Sequence, residues 1–294
     1  MQAIIHSRYG PPDALELQDI ETPSVNQAGV LVRVHAAAVG KGDWLTVQGL
    51  PYVARLRYGL PNPKHPVPGF DVAGHVEAVG TKVTQLQAGD EVFGWCEGSF
   101  AEYASVPEGQ LALKPTNLTF EQAAAVPISG FAALQAVRDT GQVQPGQQVV
   151  IIGASGGVGS FAVQLAKAFD AEVTGVCSTQ SLDMVRSIGA DHVIDYTQED
   201  FTRSGRRYDL ILEMAGNRSL ADFRCALTPK GTPGAGRRIG WSLVHGDRSH
   251  PQSRRGVPVR PPAAVLVLVQ AKESGPGCSE GAYRSRQGHP EPSP

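Results

Sequence analysis

Between Val149 and Ser160 the chain reads VVIIGASGGVGS, a β-branched strand entering a turn with glycines at 153, 156, 157 and 159. Few folds accommodate that order. A short apolar strand, a glycine-dense turn and a helix make a unit whose first helical N–H groups are free to hold a diphosphate. A dinucleotide is the natural ligand. The spacing departs from the simple G-x-G-x-x-G pattern, so its meaning depends on what surrounds it.

The surroundings repeat strand and helix. Strands are expected at Gln148–Ile152, Glu172–Val176, His192–Ile194 and Asp209–Glu213, with helices at Gly157–Phe169, Leu182–Ile188 and Asn217–Leu227. Near-continuous apolar strands of this kind belong to a parallel sheet buried on both faces. Upstream, short strands at Gln2–Ile5, Gly29–Ala37, Asp71–Val79, Asp90–Phe93 and Phe100–Ser105 alternate with glycine and proline turns, which predicts a mostly β domain. Helices Phe120–Ala125 and Phe131–Thr140 lie between the two textures. The expected division is a β domain over 1–118, a parallel-sheet domain over 119–231 and a tail over 232–294.

The tail begins where another core strand is due, after Leu227–Gly231. It is rich in glycine, proline, serine and arginine, and cannot easily offset about 1 to 2 kcal/mol of backbone entropy per ordered residue. Disorder is expected there, with the sheet left incomplete on its C-terminal side. The run Val265–Val269 is either a displaced sheet strand or an aggregation-prone segment without a partner. So abrupt a change within the repeat points to an altered reading frame or an alternative terminus.

With 26 basic and 28 acidic residues the formal charge is -2, which offers no field for nucleic acid or a membrane surface. Arg237–Arg238 and Arg254–Arg255 lack interleaved aromatics for base stacking. The late apolar run Ala263–Val269 is far short of the roughly 20 residues that span a bilayer, and the N-terminus has no signal pattern, so a cytoplasmic protein is expected. Cys96, Cys177, Cys225 and Cys278 are widely spaced and read as independent reduced thiols. No Ser/His/acid or paired-carboxylate pattern marks a nucleophilic or hydrolytic site.

Five segments together resemble one family: Pro68–Gly80 (PGFDVAGHVEAVG), Gly89–Gly94 (GDEVFG), Phe100–Tyr103 (FAEY), Ala124–Ala133 (AAVPISGFAA) and Gly153–Gly159 (GASGGVG). Over residues 1–231 the chain resembles the medium-chain dehydrogenase/reductase superfamily, in its zinc-independent, quinone oxidoreductase-like branch. The resemblance implies an α/β chain with a GroES-like, mostly β N-terminal domain and a Rossmann-like parallel-sheet domain. It also implies a nicotinamide cofactor between them and reduction of quinones, enones or aldehydes. Family members are usually homodimers or tetramers, but the altered C-terminal segment argues against assigning a dimer here. Zinc-dependent members carry a cysteine near Gly40 and a histidine near Phe70, and neither is present. His75 reads as a packed or exposed strand residue and Cys96 as a lone thiol, so no metal is expected. Without a Lewis acid, hydride donation to a conjugated acceptor is favoured over alcohol oxidation.

Site residues follow partly from the motif and partly from the resemblance. Ser155, Gly156, Gly157 and Val158 form the diphosphate turn. The end of the second strand, over Gly175–Thr179, carries no ribose-binding carboxylate, and Ser178 can hydrogen-bond a 2′-phosphate without repelling it. In related reductases a Ser or Thr, a basic residue and a tyrosine engage that phosphate. Ser178 and Tyr196 match, Gln180 stands at the basic position, and NADPH is the expected cofactor. A simple helix cap is the competing role for Ser178. The resemblance places Ser129 near the nicotinamide or its ribose, with an N-cap as the competing role. It places Asp43 at the cleft edge, orienting cofactor or substrate, against a turn-capping role on the surface. The backbone at Gly216, past the fourth strand, contacts the nicotinamide side or simply turns the chain. The expected function is metal-free, NADPH-dependent reduction of a quinone or enone. The alternatives are an inactive or truncated relative retaining at most nucleotide binding, and a nucleotide-binding module with a sensory or partner role.

Overall fold

A computed structural model describes residues 1–215, 223 and 225–228, together with the backbone of 267–270. Two five-stranded sheets organise it. The first contains β3 (Gly29–Ala36), β4 (Asp71–Val79), β5 (Glu91–Trp95), β6 (Tyr103–Pro107) and β7 (Leu111–Leu113) in the order β6-β3-β4-β5-β7. Every neighbouring pair is antiparallel. Its inward side chains are small and β-branched: Val30, Val32, Val72, Val76, Val92 and Val106 are all buried in one cluster. The strands curve tightly, and β3 shifts register against β4 at Leu31/Val32 and Val34/Ala36. At Gly74 a Cβ would stand 2.1 Å from the Arg33 carbonyl oxygen, so only glycine permits that approach. A hairpin of β1 (Gln2–His6) and β2 (Leu15–Asp19) joins the rim through an Ala3–Ala101 bridge.

Helices α1 (Lys41–Gln48) and α2 (Arg55–Tyr58) occupy a stretch without an expected helix. In α1 only Asp43 and Val47 are buried, so the sequence has no apolar stripe to announce it. Helix α3 (Phe120–Ala124) opens with a reciprocal cap: Gln122 N–H donates to Thr119 Oγ1 at 3.2 Å, and Thr119 N–H to Gln122 Oε1 at 3.0 Å. Its Ala123 and Ala124 pack on Ala73 of β4. Helix α4 (Pro127–Leu134) continues as a π-helical segment over Gln135–Thr140. The helix expected from Phe131 thus begins at Pro127, where the fixed φ of proline suits a first turn.

The second sheet contains β8 (Gln148–Ile152), β9 (Glu172–Cys177), β10 (His192–Asp195), β11 (Leu210–Glu213) and β12 (Val267–Gln270) in the order β10-β9-β8-β11-β12. The first four are mutually parallel. Helix α5 (Gly157–Ala168) buries Gly159, Ala162, Val163 and Ala166 on one face, a helical stripe laid over Val149, Ile151 and Val173. On the opposite face Val150, Ile152, Val176 and Ile211 meet Phe201, Tyr208 and Phe223. Both faces are covered, which accounts for the unbroken apolar strands. Helix α6 (Leu182–Ser187) adds Val185 to the α5 side.

Where another parallel strand is due, β12 runs antiparallel to β11, with Ile211 opposite Val269. Of the two readings of Val265–Val269, the displaced strand describes 267–270. The expected disorder elsewhere in the tail falls outside the described residues, as does most of the expected helix Asn217–Leu227. Cys96 and Cys177 are free and buried, whereas Cys225 is disulfide-bonded, against the expectation of independent thiols throughout. Among the described residues no helix is long and apolar enough to cross a membrane.

Ile151 is fully buried in the central strand. Ile151→Ala is expected to cost about 2–5 kcal/mol in urea unfolding, the range for truncating a core aliphatic side chain.

Candidate functional site

The parallel strands lie in the order third, second, first, fourth, so the chain reverses direction across the sheet between β8 and β11. Ligands of such sheets sit at the carboxyl ends of the strands at that point. The turn after β8 lies there, with Gly153 at φ +79° and Met214 and Ala215, just past β11, within 3.6 Å of where its Cβ would be. Gly156 is the N-cap residue of α5, and no side chain caps that helix end. The first N–H groups of α5 therefore have no intrahelical or capping acceptor. Gly156 and Gly157 are exposed, Ser155 is half-buried, and Val158 packs its side chain on the core, leaving its backbone to the turn. Close packing fixes the turn: a Cβ on Gly159 would lie 2.1 Å from the Gly153 carbonyl oxygen.

Ser129 comes from α4 to the same place. Its Oγ would stand 2.9 Å from a Cβ on Gly157, so the bare glycine is what lets the hydroxyl approach the helix end. Ser129 is the third residue of α4, whose N-cap position is Val126, and the competing N-cap role does not apply.

Asp43 is only 3% exposed, so the surface position considered for it is not observed. It does cap α1, its Oδ2 accepting from Gly40 N–H at 2.7 Å, while Oδ1 is buried without a hydrogen-bond partner. Burial raises its carboxyl above the usual range. Sequence reasoning missed its neighbour Asp71, the first residue of β4. Asp71 Oδ1 accepts from Ile128 N–H at 2.8 Å, tying the first sheet to the opening turn of α4. Burial pushes the Asp71 carboxyl up to about 7, opposed by the Ile128 hydrogen bond and assisted by repulsion from Asp43. The available signal was an acidic residue opening a strand ahead of the small and apolar run Val72–Gly74. Cys96 beside them is pushed up to about 12 by burial, with Asp71 and Glu97 adding to it, so its thiol stays protonated.

At the next strand ends, Ser178 precedes the 3₁₀ turn Thr179–Ser181, and its side chain makes no capping bond, against the cap reading. Tyr196, following β10, is 58% exposed. Gln180 is exposed, and Arg186 on α6 donates to Asp183 at 2.9 Å. At the end of β11, Glu213 Oε1 accepts from Ala215 N–H at 2.7 Å, while Gly216 lies outside the described residues. His75 makes tilted ring contacts with His35 and Phe120, and its Nε2 is 3.9 Å from Glu91. Among the described residues, no group of three or more His, Cys, Asp or Glu is placed to hold a metal ion.

Residues 26–116 match the alcohol dehydrogenase GroES-like domain family and residues 157–233 the zinc-binding dehydrogenase family. The chain is 36% identical over 229 residues to a 2-methylene-furan-3-one reductase of Solanum lycopersicum, covering 74% of this chain and 57% of that protein. It is 37% identical over 229 residues to the chloroplastic NADPH-dependent alkenal/one oxidoreductase of Arabidopsis thaliana, covering 74% and 58%. The quinone oxidoreductase structure from Coxiella burnetii superposes with a TM-score of 0.70 at 31% identity, over 79% of this chain and 74% of that one. The chain belongs to the medium-chain dehydrogenase/reductase superfamily and has the zinc-independent quinone oxidoreductase-like fold. It spans less than two thirds of the length of the two plant relatives.

Two outcomes follow from the packing and the charges. Gly159→Ala forces the turn away from the helix and is expected to lower stability by about 1–3 kcal/mol in chemical unfolding. For Asp71, the folded-state pKa of about 7 lies above the ordinary 3.8. The folded protein keeps this proton longer, so its stabilising effect is complete below the unfolded pKa and is lost as pH rises through about 7. Melting temperatures measured from pH 4 to 8 should fall less steeply in Asp71→Asn than in the parent.

Proposed function

We propose that the chain binds NADPH at the β8–α5 turn and reduces a small quinone or enone without a metal. The open first turn of α5, at the reversal point of the sheet and beside the Ser129 hydroxyl, carries this reading. A diphosphate fits that cradle because Gly156 and Gly157 present no side chain to it and no protein acceptor caps the helix. Ser155 and the N–H groups of Gly157 and Val158 hold the diphosphate. Ser129 orients the nicotinamide ribose. Ser178 and Tyr196 flank the adenosine 2′-phosphate. Asp43 acts from beneath the cleft edge by holding the start of α1. When bound, the nicotinamide supplies a hydride to the acceptor, whose reduction is completed by a proton from solvent.

The acceptor class is supported by the relatives, whose names specify a furanone reductase, an alkenal/one oxidoreductase and a quinone oxidoreductase. A second reading, nucleotide binding without turnover, is favoured by the antiparallel β12 beside β11, where the repeat calls for a parallel strand.

Titration of the full chain with NADPH, followed by cofactor fluorescence, should give saturable one-to-one binding, and quinone addition should then consume the cofactor. Binding without consumption selects the second reading. Absence of binding by folded protein contradicts both. Gly156→Asp supplies an N-cap carboxylate from a position with extended backbone, φ -76° and ψ 167°. It competes with the diphosphate for the same N–H groups and should weaken NADPH binding at least about tenfold, with the melting temperature held within a few degrees.

A further inference from the structure

One side chain joins the two segments that carry Ser178 and Tyr196. Asp195 ends β10 opposite Cys177 of β9, and past that pair Tyr196 N–H still donates to the Cys177 carbonyl at 3.1 Å. The link then passes to side chains. Asp195 Oδ2 accepts from Thr179 Oγ1 at 2.5 Å and Gln198 Nε2 at 3.0 Å; Oδ1 accepts from Thr197 N–H at 2.9 Å and Thr197 Oγ1 at 2.7 Å. The Thr179 and Thr197 hydroxyls are themselves 3.2 Å apart.

A local turn at residues 195–197 needs only the Thr197 bonds. The bond to Thr179 reaches sixteen residues back along the chain and fastens the turn after β9 to the turn after β10. Asp195 is buried and has four donors on its two oxygens, so it is committed to this clamp. Hydrogen bonding from Thr179, with help from Thr197 and Gln198, holds its carboxyl below the usual range and keeps it ionised at neutral pH. The flanking groups face the other way in availability: the Ser178 side chain makes no capping bond and Tyr196 is exposed.

We propose that Asp195, acting through Thr179, is a positioning residue for nucleotide choice. It fixes the separation of Ser178 and Tyr196 so that a ribose 2′-phosphate is held between them. The inference rests on the NADPH reading above and adds the element that discriminates NADPH from NADH. Its rival is electrostatic: an ionised carboxylate so near would repel the 2′-phosphate and favour NADH.

The test compares dissociation constants for NADPH and NADH, by fluorescence titration, in the full-length parent and in Thr179→Val, Thr179→Ser and Asp195→Ala. Thr179 is exposed, and valine preserves its shape while removing the hydroxyl. NADPH affinity should fall about tenfold in Thr179→Val and Asp195→Ala, NADH affinity should stay within about twofold, and Thr179→Ser should retain the parent's preference. Equal losses for both nucleotides would mean a merely structural clamp and would overturn the inference. Tighter NADPH binding by Asp195→Ala would overturn it in favour of repulsion. A parent that prefers NADPH with variants that keep its ratio sinks the inference and leaves the NADPH reading standing; a parent that binds neither nucleotide, or does not discriminate between them, overturns that reading and the inference together.

Discussion

The approach of α5 to the strand that precedes it governs the edge of the parallel sheet at which its direction reverses. Helix α5 can begin where it does because Gly159 rests against the Gly153 carbonyl with no Cβ between them. That contact brings the helix start directly over the end of β8, and the small residues Ala162, Val163 and Ala166 continue the close packing along the sheet. The unpaired N–H groups of the first turn are thereby aimed at the point where the sheet reverses. A bulkier turn would move the helix outward and separate the anion cradle from the strand ends that flank it.

The second constraint is the link between the two sheets. Asp71 takes the Ile128 N–H, and the next residue along α4 brings its hydroxyl to Gly157. A buried carboxyl in the first sheet thus helps set the position of a hydroxyl at the start of α5 on the second. Burial is the main cost of placing Asp71 there and raises its pKa, with repulsion from Asp43 adding a smaller push in the same direction. Such a strained electrostatic arrangement is characteristic of functional sites.

Where function rests on local chemistry, the sequence was readable. The boundaries of β4 and β8 match the expected strands Asp71–Val79 and Gln148–Ile152, and the glycine turn lies where expected, between β8 and α5. Strands β2 and β7 escaped because they are short and largely exposed, with little of either side buried. Helix α1 escaped for want of an apolar stripe. The pairings of Asp71 and Asp195 were hidden for a different reason: each accepts from a partner distant in sequence, 57 residues away for Ile128 and sixteen for Thr179. Pattern reading locates the segments but not the pairing. The competing cap roles for Ser129 and Ser178 were likewise undecidable until the helix starts were fixed.

The most direct test of the central claim is amide hydrogen exchange across residues 153–160 in the full chain, with and without saturating NADPH. If the open turn of α5 holds the diphosphate, exchange at Gly157, Val158 and Gly159 slows on binding while the far end of α5 changes little. Saturable NADPH binding with unchanged exchange at those three amides would contradict the account and place the nucleotide elsewhere.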